Sequence, residues 1–279
     1  MIERLEPLLG APVSLETLKH KPERRTTLRA SGARRNAIVK VYASTRAPTV
    51  AARIAALATG PDDVEIPEVL LCDAELHLLV LSEVPGVPLR EALLAGDDET
   101  CERAGSALGT WHRAWSGMSP EPLVPHTAER EIEILSSRID RAPDEIAGLV
   151  RAELPSVAEG DWAPATVVHR DLYEEQIMVD ERIGLIDLDD AALGPPELDV
   201  GNLLAHVELL SLRATTDLTA AVEALLKGYR QSGTPLDAAL LARCQTLTSL
   251  RLACIHEMRS LVDRAQPALL TEPGRGAPR

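Results

Sequence analysis

The residues best suited to chemistry lie between Val167 and Asp187. Val167-Val168 closes an apolar run, and His169-Arg170-Asp171 follows directly. Five residues after Asp171 comes an amide, Gln176. Eight residues beyond that, Gly184-Leu185-Ile186 leads into Asp187. Thr166 to Val168, Ile177 to Val179 and Gly184 to Ile186 read as short strands, the last two forming a hairpin around Asp180-Glu181-Arg182. Two carboxylates and an amide thus leave neighbouring strand ends. That set suits phosphoryl transfer with Mg²⁺. One carboxylate orients the attacking hydroxyl and takes its proton, while the other carboxylate and the amide oxygen hold metal against nucleotide phosphates.

This stretch resembles the aminoglycoside phosphotransferase and choline kinase family, whose fold is that of the protein kinases. The resemblance is thin along the whole chain and dense from about Val167 to Leu204. It implies that Asp171 is the catalytic base and that His169 buttresses the loop. Gln176 and Asp187 would be ligands of Mg²⁺, with ATP or GTP as co-substrate. Gly194-Pro195-Pro196-Glu197-Leu198-Asp199 is similar to the family's Gly-x-Pro-x-x-Asp segment, whose last Asp starts a helix and braces the catalytic loop. Asp199, together with Arg170, takes that supporting place.

Lys40 stands inside the apolar run Ala37 to Tyr42, where an unpaired ammonium is costly. The resemblance gives it a use, because the family grips phosphate from that strand. Leu79 to Leu89 is similar to the strand, hinge and Pro-Gly turn that join two lobes. The adenine edge would then meet backbone at Glu83 and Val84. Leu108 to His112 is similar to a family helix, and Trp111 and His112 read as packing residues.

Three departures from the family pattern matter. Gln176 stands where Asn is usual, one methylene longer. From Val41 to Pro61 there is no acidic residue, and Arg53 occupies the place of the usual carboxylate partner of Lys40. Lys40 must then be satisfied by Asp187, by phosphates or by another route. Pro22 to Asn36 offers only Gly32 for a phosphate-covering loop, with Arg24, Arg25, Arg29, Arg34 and Arg35 as alternative charge. Glu174, Glu175, Asp189, Asp190 and Glu197 read as a solvated loop face, with an acidic rim for a cationic substrate as the sharper reading.

The elements that position these residues fall into two groups, an α+β, bilobal, protein-kinase-like fold. A strand-rich N-lobe spans residues 1–85, with strands at Thr26 to Ala30, Ala37 to Tyr42, Val69 to Cys72 and Leu76 to Leu81, and a helix at Thr49 to Thr59. A helical C-lobe spans 86–271, with helices at Glu99 to Trp115, Glu129 to Arg141, Asp144 to Leu154, Leu198 to Leu212, Asp217 to Gln231 and Leu236 to Leu261. Residues 272–279 read as a disordered tail.

Composition sets outer limits. The chain has 279 residues, is 45% apolar and carries a net charge of −14. A core is affordable, while general nucleic-acid binding and docking on anionic lipid are disfavoured. Phe is absent and Lys occurs only at positions 19, 21, 40 and 227, so aromatic stacking platforms are scarce. The four cysteines form no CxxC pair, and neither a signal peptide nor an apolar span is evident. Within these limits, the resemblance implies a cytoplasmic, Mg²⁺-dependent kinase, monomeric or a weak homodimer, acting on a hydroxyl of a small molecule such as an aminoglycoside-like antibiotic, another natural product or a metabolite, and the acidic charge leaves a cationic acceptor open. The alternatives are a peptide Ser/Thr kinase and a nucleotide-binding pseudokinase.

Overall fold

The computed structural model describes residues 1–265 except Thr59 and Asp62. The expected disordered tail, residues 272–279, lies outside them. Helix α1 (Ile2–Leu9) precedes strands β1 (Ser14–Lys21), β2 (Arg25–Ser31) and β3 (Asn36–Tyr42). Helix α2 (Ala47–Leu57) follows, then β4 (Val64–Glu65), β5 (Val69–Asp73) and β6 (Leu78–Ser82). Five of these strands form an antiparallel sheet in the order β1-β2-β3-β6-β5.

Strand periodicity explains the sheet's two faces. Ala37 and Val39 of β3 and Leu78 and Val80 of β6 join Leu5 and Leu9 of α1 in one core. Leu79 and Leu81 point the other way, into a core shared with Tyr42, Val50 and Ile54. Lys40 belongs to this second face, two residues before Tyr42, which aims its ammonium at the cleft beneath the sheet. Strand β1 is not legible in the sequence because it is an edge strand, SLETLKHK, exposed along nearly its whole length.

The rest of the chain is mostly helical: β7 (Val87–Pro88), α3 (Leu89–Ala95), α4 (Asp98–Ala114), α5 (Ala128–Ile139), α6 (Asp144–Ala158), then β8 (Thr166–Val168), β9 (Ile177–Val179), β10 (Ile183–Leu185) and β11 (Ala192–Gly194). Helices α7 (Pro196–Ala214), α8 (Thr219–Gln231), α9 (Ala238–His256) and α10 (Arg259–Ala265) complete it. Asp97, Thr127 and Asp237 start α4, α5 and α9 by accepting a backbone N–H three residues on. The expected single helix from Leu236 to Leu261 divides at Glu257, whose left-handed backbone (φ 54°) ends α9. Helices α4 and α8 approach closely at two glycines. A Cβ on Gly105 would lie 1.9 Å from the Leu225 oxygen, and one on Gly228 1.9 Å from the Glu102 oxygen.

Two small sheets stitch the helical part together. In one, the order is β4-β10-β9-β7, with β4 parallel to β10. In the other, β8 pairs with β11, Val168 opposite Ala192. The result is the expected bilobal α+β architecture. The ends of β8 and β10 open on the same cleft.

Candidate active site

The chain leaves β8 at His169 and turns sharply. Arg170 sits at φ 74°, a left-handed conformation that costs a non-glycine residue about 1 kcal/mol or more. Asp199, in the first turn of α7 and fully buried, holds that turn. Its two oxygens accept the backbone N–H groups of His169 (2.6 Å) and Arg170 (2.7 Å). His169 is also fully buried, and its Nε2 donates to the Ile186 carbonyl at 2.7 Å, tying the loop to the end of β10. Asp171, the next residue, is exposed and lines a polar cleft of about 400 Å³.

The second carboxylate, Asp187, follows β10 and is likewise left-handed (φ 64°). It lines both that polar cleft and a neighbouring cavity of about 440 Å³ under the sheet. Ile38, Lys40, Leu81, Glu83, Val84 and Gln176 line the same cavity. Gln176 is buried in a 3₁₀ turn (Glu174–Gln176), and its Oε1 has no hydrogen-bond partner among the described residues. The Glu83 side chain accepts a hydrogen bond from Arg29 Nε at 2.8 Å.

Lys40 is 4% exposed and has two carboxylate partners, Asp187 at 2.7 Å and Asp189 at 2.5 Å. Asp189 also accepts from the Tyr42 hydroxyl at 2.8 Å and pairs with Arg25. Arg25 further clamps both oxygens of Asp187, each at 2.9 Å. Burial alone would raise the Asp187 carboxyl, but Lys40 and Arg25 overcome it and hold it far below the usual carboxylate range. Burial and the neighbouring Asp189 drive the Tyr42 hydroxyl far upward.

These contacts correct several expectations. Asp189, Glu174 and Glu197 are not a solvated loop face but are each 7% exposed or less. Asp189 answers the need created by the missing helix carboxylate, and Glu197 Oε1 accepts the Asp237 N–H at the start of α9. Asp190 and Glu175 do reach solvent and pair with Arg46 and Arg90. Gly32 does not cover phosphate. A Cβ there would meet the Leu9 oxygen at 2.4 Å, so its smallness serves the docking of α1. The cleft is instead covered by the β1–β2 turn, and of the five arginines only Arg24 and Arg25 line it. His112 is more than packing: its Nε2 lies 3.2 Å from Asp199 and its Nδ1 2.8 Å from the Tyr229 hydroxyl.

The sequence model of the phosphotransferase enzyme family matches residues 15–241. The chain belongs to the phosphotransferase enzyme family. Solved structures agree on the fold. A thermostable mutant of the aminoglycoside phosphotransferase APH(4)-Ia superposes with a TM-score of 0.65 at 17% identity, over 95% of this chain and 96% of that one. The choline kinase LicA from Streptococcus pneumoniae gives 0.62 at 16% identity, over 95% and 89%. Spectinomycin phosphotransferase APH(9)-Ia, solved with ADP and spectinomycin, gives 0.62 at 15% identity, over 95% and 88%. No curated protein matches the sequence. The architecture is therefore the protein-kinase-like one of this phosphotransferase family.

Behind the loop from His169 to Gln176 of this phosphotransferase-family chain lies a polar network that sequence patterns do not reveal. Asn202 of α7 donates to the Leu172 carbonyl at 2.7 Å. Its own carbonyl accepts from Arg251 and Thr248 of α9. Arg251 reaches on to Glu131 of α5 at 2.7 Å, and Glu131 meets His126 at 2.8 Å. Burial raises the Glu131 carboxyl, but Arg251 and His126 more than offset it and keep the group below its ordinary value. These residues come from four separate stretches, so no local signal could find them.

Proposed function

We propose that the protein moves the γ-phosphoryl group of ATP or GTP to a hydroxyl of a small molecule. The observation that carries this reading is the sharing of Asp187 between two cavities. One has apolar walls from Ile38, Leu81, Val84 and Ile186 and is lined by Lys40 as well. The other is lined by Asp171. A nucleotide in the first would present its terminal phosphate to an acceptor in the second.

Each residue has a role on this reading. The backbone of Glu83 and Val84 meets the base, and Lys40 grips the phosphates. Asp171 orients the acceptor hydroxyl and takes its proton as the oxygen bonds to phosphorus and the bridging P–O bond to the nucleotide breaks. His169, Arg170 and Asp199 keep Asp171 in place. The residues fit Mg²⁺: the bare, buried Gln176 oxygen beside Asp187 is the kind of hard donor that ion takes. When bound, Mg²⁺ would neutralise phosphate charge.

The short segment from Asp187 to Asp199 supports a small acceptor over a peptide. It folds back at once into a 3₁₀ turn (Leu188–Asp190) and β11. The test is Asp171→Ala. Phosphate transfer should be lost while stabilisation of the protein by Mg²⁺ and ATP persists. Full turnover by the variant would refute the proposal.

A further inference from the structure

We infer that the phosphates of the nucleotide are held by two lysine side chains of the edge strand β1, Lys19 and Lys21, with Lys21 on the γ-phosphoryl group. The inference rests on the phosphotransfer reading and names where its transferred group is held. Lysine is scarce in this acidic chain. Yet three of the four lysines, Lys19, Lys21 and Lys40, share the face of the sheet that is turned to the cleft.

A β-bulge puts two of them there. From Ser14 to Thr17, β1 pairs in step with β2, and Thr17 lies opposite Leu28. The pairing then slips by one residue, so that Lys19 lies opposite Thr27 and Lys21 opposite Arg25. Leu28 belongs to the core shared with α1, whereas Thr27 lies opposite Lys40 on the cleft face. Side chains alternate between the two faces, and one inserted residue exchanges them. Without Leu18 as the extra residue, Lys19 and Lys21 would follow Thr17 onto the face turned away from the cleft. With it, Lys19 lines the cavity under the sheet, and Lys21 lines the polar cleft together with Asp171.

Backbone donors are short on the turn that follows. Pro22 has no N–H, and the Arg24 N–H donates to the Lys21 carbonyl at 3.1 Å. Two of the three turn residues therefore have no backbone donor left for phosphate, and side-chain charge takes that place. Other cations of this face are already taken, since Asp187 and Asp189 hold both Arg25 and Lys40. Among the described residues, Lys19 and Lys21 have no side-chain hydrogen bond or ion pair. Partial burial, Lys19 and Arg25 pull the Lys21 ammonium below its ordinary value, against Asp187 and Asp171. A phosphate among these cations relieves their repulsion.

The two lysines divide along the nucleotide. Lys19 shares its cavity with Lys40, Glu83 and Val84, where the base and the inner phosphates would lie. Lys21 shares its cleft with Asp171 and Asp187, where the terminal phosphate would meet the acceptor. An ammonium at that place offsets the charge on the phosphoryl oxygens in transit.

The test is calorimetric titration of the full chain with ADP and with the non-transferable analogue AMP-PNP, both with Mg²⁺. Lys21→Ala should weaken AMP-PNP about tenfold and ADP less than about twofold. Lys19→Ala should weaken both about tenfold, and Lys21→Arg should keep most of the AMP-PNP affinity. His20→Ala, between the two lysines on the opposite face, should change neither. Unchanged AMP-PNP binding by Lys21→Ala, or an equal loss for ADP and AMP-PNP in that variant, would overturn the inference and leave phosphotransfer standing, as would ADP binding untouched by Lys19→Ala. A wild type that binds neither nucleotide would remove the phosphotransfer reading, and this inference with it.

Discussion

Lys40 Nζ lies 2.5 Å from Asp189 Oδ1, and each side chain is about 95% buried or more. The counter-ion of the lysine therefore comes from the loop after β10, not from α2. Helix α2 still takes part. Arg53 donates to the Asp189 backbone carbonyl at 2.7 Å, so helix and lysine remain connected through one residue. The loop supplies the anion for Lys40, and the helix supplies only a hydrogen bond to the loop's backbone.

Removing Asp189 should therefore be costly. Breaking a buried pair by deleting one partner costs roughly 3–5 kcal/mol, because the remaining charge stays buried. Asp187 still faces Lys40 in the variant, so the low end of that range is expected for Asp189→Asn. Urea unfolding should show a lower midpoint with an unchanged slope. A loss below about 1 kcal/mol would mean that Asp187 alone satisfies the lysine.

Asp199 makes a second prediction. It accepts two backbone N–H groups that have no other acceptor once its carboxylate is gone. Asp199→Ala should release the strained turn at Arg170 and displace Asp171. Misplacement on that scale costs roughly 10²-fold in kcat. Asp199 does not line the cavity beneath the sheet, where the proposed function seats the nucleotide, so KM for the nucleotide should change little. Parallel losses in kcat and nucleotide affinity would show that Asp199 supports the whole lobe instead.

Much of this candidate site is legible in the sequence, and the reason is local. His169, Asp171, Gln176 and Asp187 sit at fixed spacings on a strand, a loop and a hairpin, which the chain must write contiguously. Lys40 stands out because charge is rare within a run such as Ala37 to Tyr42. What could not be read depends on distant pairing. In the sequence Asp189 reads as a loop charge because its partners, Arg25, Lys40 and Tyr42, are about 150 residues away. The edge strand β1 has one partner and little to bury, so it carries no alternation. Asn202, Arg251 and Glu131 meet only through the packing of α5, α7 and α9.

The third prediction concerns pH. His206 stacks on Tyr173 of the loop after β8, ring centroids 5.0 Å apart. Burial pulls its pKa down to about 3 from an ordinary 6.5, and Arg251, His256 and Arg213 add to the effect. The unfolded chain then binds a proton that the folded chain refuses. Stability from this group is full above about 6.5 and declines as pH falls from there toward 3. Asp187, whose folded pKa is also depressed, contributes its loss only below its ordinary 3.8. A urea midpoint that drops on acidification below neutrality, with the drop reduced in His206→Gln, is the expected outcome. An unchanged pH dependence in the variant would reject His206 as the source.

The last prediction follows from the competition for Asp187. Both of its oxygens accept from Arg25, and one also accepts from Lys40. A divalent cation at Asp187 must displace the guanidinium or share the carboxylate with it. Without nucleotide, exchanging Arg25 for a cation gains little, since one positive partner replaces another. With nucleotide, the displaced guanidinium has phosphate oxygens to receive it. Mg²⁺ alone should therefore barely shift the melting temperature of the wild type, while Mg²⁺ with ATP shifts it clearly. Arg25→Ala should respond to Mg²⁺ alone, because the carboxylate then has a free face, and should show a raised KM for ATP, because a phosphate partner is gone. If Mg²⁺ alone stabilises the wild type and the variant equally, Arg25 does not compete with the metal for that carboxylate.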